Sequence, residues 1–179
     1  ETGVDSLMNA GVGVVGLGYV GLQIATAFGR VIPTVGFDVD DDRVEELRGG
    51  YDRNDEVSGD ALKVPNLSFT SEPSNLSTSR FIVVAVPTPV DSARRPDLSH
   101  LEDASRTVGA LLKEKALRGG LGSAPSGPVV IYESTVYPGC TEEVCVPLLE
   151  EESGLKAGVD FNVGYSPERF SPGNPEYAL

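Results

Sequence analysis

The chain has no tryptophan, one histidine, one methionine and two cysteines in 179 residues. Cys140 and Cys145 lie five positions apart, which fits neither a Cys-x-x-Cys redox pair nor a zinc-ligand spacing. On a regular helix that separation points two side chains to different faces. No disulfide is therefore expected, and a reducing cytoplasm is the default setting. Long apolar runs are missing too. The run from Phe81 to Val86 is six residues long, against the roughly 18 that a membrane span needs. Residues 1–10 have neither a basic n-region nor an apolar h-region, so they read as a leader and not as a signal peptide. The lack of Met at position 1 suggests a trimmed chain. Positive charge is scarce: 14 Lys and Arg against 27 Asp and Glu give a net charge of −13, which argues against nucleic acid or an anionic membrane as partner. The acidic clusters at residues 40–42 and 150–152 read as solvated faces or as adaptation to high salt, where self-repulsion is screened.

What is present is an alternation of apolar runs with helical patterns, the signature of a parallel sheet with crossover helices. Strands are expected at Gly11 to Val15, Thr34 to Phe37, Leu67 to Thr70, Phe81 to Val86, Val129 to Tyr132 and Phe161 to Tyr165. The β-branched run Phe81 to Val86 reads as a central strand buried on both faces. Helices are expected from about Gly21 to Phe28, around Asp42 to Leu47 with Gly49 and Gly50 at its end, and after Ser99, whose spacing to Glu102 suggests a capping box. A further helix is expected from near Thr141, with Pro147 bending it or marking its true start. The stretch from Arg118 to Gly127 lacks periodicity and reads as a flexible loop. These features add up to one α/β domain, residues 11–179. It is a Rossmann-like, doubly wound, mostly parallel sheet in three layers.

Two overlapping Gly-x-G-x-x-G matches occur, Gly11/Gly13/Gly16 and Gly16/Gly18/Gly21. The dinucleotide fingerprint requires a strand before it, a helix after it and an acidic residue some 20 positions on. The second match satisfies all three, with Asp38 standing 22 residues after Gly16. Gly16 permits the tight turn, Gly18 lets the backbone approach a pyrophosphate, and Gly21 brings the helix close to the sheet. The helix N-terminus supplies N–H donors and partial positive charge, so a strongly acidic chain can still hold an anionic dinucleotide. Asp38 is placed to accept hydrogen bonds from ribose hydroxyls and to repel a 2′-phosphate, which favours NAD over NADP. Arg43 either weakens that preference or is a surface residue on the next helix.

At this point the residues resemble a family, the nucleotide-sugar 6-dehydrogenases, which oxidise the CH2OH of a UDP-sugar to a carboxylate with two NAD+. The resemblance is carried by Gly16-Leu-Gly-Tyr-Val-Gly-Leu22, Val86-Pro-Thr-Pro89, Tyr132-Glu-Ser-Thr-Val-Tyr-Pro-Gly139 and Tyr165-Ser-Pro-Glu-Arg-Phe-Ser-Pro-Gly173. It spans nearly the whole chain and leans to the UDP-N-acetylglucosamine/galactosamine branch, which serves surface polysaccharides. It implies cofactor contacts from Tyr19, Val20, Asp38, Arg43, Val86, Pro87, Thr88, Ser134 and Thr135, beside Gly16, Gly18 and Gly21. It gives Thr135 the hydrogen bond to a catalytic water and Glu168 the assistance of proton transfer, with Glu168, Arg169, Phe170 and Ser171 along the sugar nucleotide.

The resemblance departs from the family in two places. The UDP-glucose branch has a second glutamate four residues after the first, where this chain has Pro172; this favours an N-acetylhexosamine. The loop from Leu117 to Pro128 is longer than family members have. The family's thiol nucleophile, helical dimerisation region and UDP-binding domain all belong beyond the segment matched here. Cys140 and His100 read as structural helix-start residues. The implied whole enzyme is a homodimer, and this chain is its NAD-binding part, inactive alone. UDP-N-acetylmannosamine or UDP-glucose as substrate, and a stand-alone NAD-binding sensor, remain alternatives.

Overall fold

The computed structural model describes residues 10–90, 92, 95–121 and 127–167. The expectations for residues 1–9, the middle of the 117–128 loop, and Glu168, Arg169, Phe170 and Ser171 lie outside the described residues. Six strands form one sheet: β1 (Val12–Val15), β2 (Thr34–Phe37), β3 (Leu67–Thr70), β4 (Phe81–Val84), β5 (Val129–Tyr132) and β6 (Asn162–Tyr165). Their spatial order is β3-β2-β1-β4-β5-β6, and every neighbouring pair is parallel. Val15 pairs with Phe37 on one side and Val84 on the other, so β1 is the central strand where the winding direction reverses.

Strand alternation explains the layers. Val12 and Val14 of β1 and Val83 of β4 face α1 (Tyr19–Gly29) and α2 (Asp41–Arg48), in a core with Leu22, Val44 and Leu47. Val15, Ile82, Val84, Val130 and Tyr132 face the opposite side, under α3 (Ser99–Leu117) and α4 (Val146–Ser153), with Leu101, Val108, Leu112 and Leu149. The sheet is thus buried on both faces, which is what the β-branched runs require.

Boundaries move where local chemistry outweighs pattern. α1 begins two residues earlier than expected, at Tyr19, with Gly18 as its N-cap. β4 stops at Val84; the Ala85 N–H still reaches the Val15 carbonyl at 2.9 Å, and Val86 then turns into the cleft described below. The capping box is absent. Ser99 is the first residue of α3, and its N–H donates to the Asp97 carboxylate at 3.0 Å, since a carboxylate is the stronger acceptor for a helix-start amide. α2 does carry a side-chain cap, from Asp40 to the Arg43 N–H at 3.2 Å.

The expected helix near Thr141 starts as a π-turn, Thr141–Cys145, where the Val146 N–H reaches back five residues to the Thr141 carbonyl. Pro147 sits in the first turn of α4 and has no N–H to offer Glu143, so the wider turn absorbs the missing bond. This overturns the expectation that the cysteines diverge. Cys140 and Cys145 are both buried in one core, as free thiols that contact each other. Burial pushes Cys145 up to about 12 and raises Cys140 as well. Cys140 is therefore an inert packing residue, in spite of its place beside a helix start.

Candidate functional site

The glycine turn after β1 opens the C-terminal edge of the sheet at its switch point, where open α/β sheets bind ligands. Gly16 has φ +92, and its N–H donates to the Phe37 carbonyl at 2.8 Å. A Cβ at Gly16 would stand 2.9 Å from the Ala85 carbonyl oxygen, and one at Gly21 would collide with the carbonyl oxygen of Gly16. Gly18 is different: nothing lies within 4 Å of a Cβ built there. Its bare backbone faces open space, as close approach of a pyrophosphate needs. α1 starts on it with no side-chain cap and no acidic residue in its first turn, which leaves the N-terminal amides and the positive end of the dipole for a ligand.

Leu17, between the glycines, is held at both ends of its residue. Its N–H donates to Asp38 Oδ2 at 2.8 Å, and its carbonyl accepts from Arg43 Nε at 3.0 Å. Asp38 Oδ1 accepts the Asp40 N–H at 3.0 Å. Each carboxylate oxygen therefore has one backbone donor and spare lone-pair capacity for a hydroxyl.

Arg43 is neither a surface residue nor a free cation in the cleft. Its side chain is 5% exposed, and Nη2 meets Asp52 Oδ1 at 2.7 Å. Burial tends to raise the Asp52 carboxyl, but Arg43 and the amides of Asn54, Glu56 and Val57 outweigh it and hold the group below the ordinary carboxylate range. The guanidinium thus supports the turn from beneath.

The cleft has two lobes that meet at Gly18, Val86 and Pro87. One, of about 340 Å³, is bounded by Gly16, Phe37, Asp38 and the start of α3. The other, of about 550 Å³, is bounded by Tyr19, Val20, Thr88, Ser134 and Thr135. The loops after β4 and β5 are laced across this second lobe. Thr88 Oγ1 donates to the Thr135 carbonyl at 2.6 Å, and Ser134 Oγ to the Val86 carbonyl at 2.6 Å. All the sequence-named candidates that lie among the described residues, except Arg43 and Gly21, line this cleft. Sequence reasoning missed Asn54 in the larger lobe and Asp103 and Thr107 in the smaller, and it treated His100 as a helix-start residue only. The helical period of α3 was a usable signal for the last three, because they recur along it at i, i+3 and i+7. Asn54, in a polar stretch without a motif, had none.

The arrangement fits a dinucleotide. A glycine with open space at its Cβ position and an uncapped helix start can accommodate a diphosphate, a carboxylate at the end of β2 lines one lobe, and the adjoining lobe is a mostly apolar hollow. Among the described residues no group of His, Cys, Asp or Glu is arranged to hold a metal, and no helix is long and apolar enough to cross a membrane.

Comparison with known proteins agrees in sequence and in shape. Residues 10–179 match the UDP-glucose/GDP-mannose dehydrogenase family, NAD binding domain. The chain is 48% identical over 167 residues to Protein CapL of Staphylococcus aureus, covering 93% of this chain and 37% of CapL. It is 48% identical over 169 residues to UDP-N-acetyl-D-glucosamine 6-dehydrogenase of Pseudomonas aeruginosa, covering 94% and 37%. Among solved structures, the ternary complex of GDP-mannose dehydrogenase from Pseudomonas aeruginosa superposes with a TM-score of 0.79 at 30% identity, covering 89% of this chain and 36% of that one. The chain spans about 37% of the length of the curated relatives it matches.

Proposed function

The chain belongs to the UDP-glucose/GDP-mannose dehydrogenase family through its NAD-binding domain, and from that premise we propose that it is the cofactor-binding part of a UDP-N-acetylhexosamine 6-dehydrogenase serving surface polysaccharide synthesis. The observation that carries the reading is the two-lobed cleft with Gly18 open at its waist and Asp38 in one lobe. Asp38 takes the hydroxyls of the adenosine ribose, and its charge disfavours a 2′-phosphate. The amides of Gly18, Tyr19 and Val20 face the diphosphate, with Arg43 acting on the turn from beneath. The nicotinamide half lies in the larger lobe, against Val86, Pro87, Thr88, Ser134 and Thr135.

When bound, NAD+ supplies the hydride acceptor for oxidation of the sugar's C6 hydroxymethyl group. The chain's own residues orient and exclude water around it. Thr135 holds the water used in the later hydrolytic step, and the Thr88 hydroxyl bonded to the Thr135 carbonyl keeps that loop in place. Glu168 assists proton transfer at the reacting carbon, beside Arg169, Phe170 and Ser171 on the sugar nucleotide. The thiol nucleophile, the dimerising helices and the UDP-binding domain belong to sequence outside these residues, and the whole enzyme works as a cytoplasmic homodimer.

Support for an N-acetylhexosamine comes from the 48% and 44% identity to the UDP-N-acetyl-D-glucosamine 6-dehydrogenases of Pseudomonas aeruginosa and Salmonella typhi, and from Pro172 in place of a second glutamate. The reading is tested by incubating the chain with NAD+ and UDP-N-acetylglucosamine. Binding of NAD+ without formation of reduced nicotinamide is expected; sustained turnover by these 179 residues would refute the division of labour.

A further inference from the structure

Residues 52–57 lie between α2 and the short helical turn Ala61–Lys63 and carry no motif, yet a buried carboxylate gathers them through hydrogen bonds. We propose that this segment is a working wall of the dinucleotide cleft. Asn54 contacts the diphosphate and nicotinamide-ribose half of the bound cofactor. Asp52 is the positioning residue that presents Asn54 and, through Arg43, holds Leu17 in the glycine turn. The proposal rests on the NAD-binding reading above and extends it to residues that reading does not use.

The Asp52 side chain is 1% exposed and its two oxygens are fully engaged. Oδ1 accepts from Arg43 Nη2 at 2.7 Å and the Asn54 N–H at 3.1 Å; Oδ2 accepts from the N–H groups of Glu56 at 2.9 Å and Val57 at 3.1 Å. A buried carboxylate satisfied by one guanidinium and three amides has a single low-energy arrangement, because displacing any donor leaves charge uncompensated in a poorly solvated place. The same guanidinium donates from Nε to the Leu17 carbonyl at 3.0 Å, so one carboxylate sets both the loop and the turn.

The loop is also anchored from outside, where Arg53 meets Glu46 at 2.6 Å and Asp40 at 3.2 Å on and before α2. Asp55 closes it in the left-handed region at φ +54, its N–H bonded to the Asp52 carbonyl at 3.0 Å. For a non-glycine residue that conformation is a strain the surrounding bonds must sustain. Asn54, half-buried, then lines the larger lobe together with Gly18, Tyr19 and Val20. A carboxamide offers both donors and an acceptor without negative charge. At a wall facing phosphate, in a chain of net charge −13, a neutral donor avoids the repulsion that an acidic neighbour would impose.

The test is a double-mutant cycle on the chain, with NAD+ and AMP as calorimetric probes; AMP occupies the adenosine lobe alone. Asn54→Ala is expected to weaken NAD+ about three- to tenfold, the worth of one or two hydrogen bonds, and to leave AMP unchanged. Asp52→Asn is expected to weaken NAD+ at least as much, and Asp52→Asn with Asn54→Ala no further, since Asn54 is no longer presented. NAD+ binding by Asn54→Ala equal to the parent, or losses that multiply in the double variant, would overturn the proposal. Asn54→Ala removes only a half-buried loop side chain, so that arm stands even if Asp52→Asn fails to fold. A parent chain that binds no NAD+ would instead remove the underlying reading.

Discussion

Three glycines in one turn do three different jobs, and substitution separates them. Gly21→Ala drives a methyl into the Gly16 carbonyl, so we expect a loss of about 1–3 kcal/mol of stability, the range for forced overpacking. Gly18→Ala meets nothing within 4 Å, and Gly18 has φ −74, so stability should change by no more than about 0.5 kcal/mol while NAD+ binding falls. Thermal melts and NAD+ titration of the two variants check this; a Gly18→Ala chain that binds like the parent would mean that the open space at Gly18 is not where the diphosphate lies. Arg43 shows what single residues conceal from sequence. Its type and place after Asp38 suggested a cation facing the cofactor, and its partner Asp52, nine positions on, carried no pattern that would have revealed a buried ion pair.

Among the elements, the strands were legible because burial on both faces demands continuous β-branched runs, and the residues supplying them are unambiguous in β1, β4 and β5. Helix ends were less so, because competing polar groups decide them. Ser99 to Glu102 has the capping-box spacing, but the Asp97 carboxylate takes the Ser99 amide. Asp97→Ala should therefore cost about 1 kcal/mol and Ser99→Ala markedly less, the ordinary worth of a lost cap, as read from urea denaturation; the reverse order would restore the capping box. The π-turn was invisible for a related reason. Spacing rules assume 3.6 residues per turn with bonds to the fourth residue back, and beside Pro147 the bond reaches back five residues and widens the turn, so Cys140 and Cys145 share a core when a regular helix would separate them.

For the molecule as a whole, net charge and binding site pull in opposite directions. At −13 the chain repels an anionic dinucleotide at long range, and under the proposed reading what offsets this is local: an uncapped helix start and an open glycine, with the Asp38 carboxylate assigned to sugar hydroxyls and not to phosphate. The fold, and most of the described candidate residues that line the cleft, were readable from the motifs and their position in the strand order; the division of the cleft into two lobes was not. The loop at residues 52–57 was not, because its position follows from tertiary hydrogen bonds and not from any local propensity. The most direct test is calorimetric titration of NAD+ into the parent chain and into Asp38→Ala. The account predicts saturable binding by the parent and a loss of about tenfold or more in the variant, the scale of hydrogen bonds to a charged group. Equal affinity in the two proteins, or no heat with the parent, would contradict it.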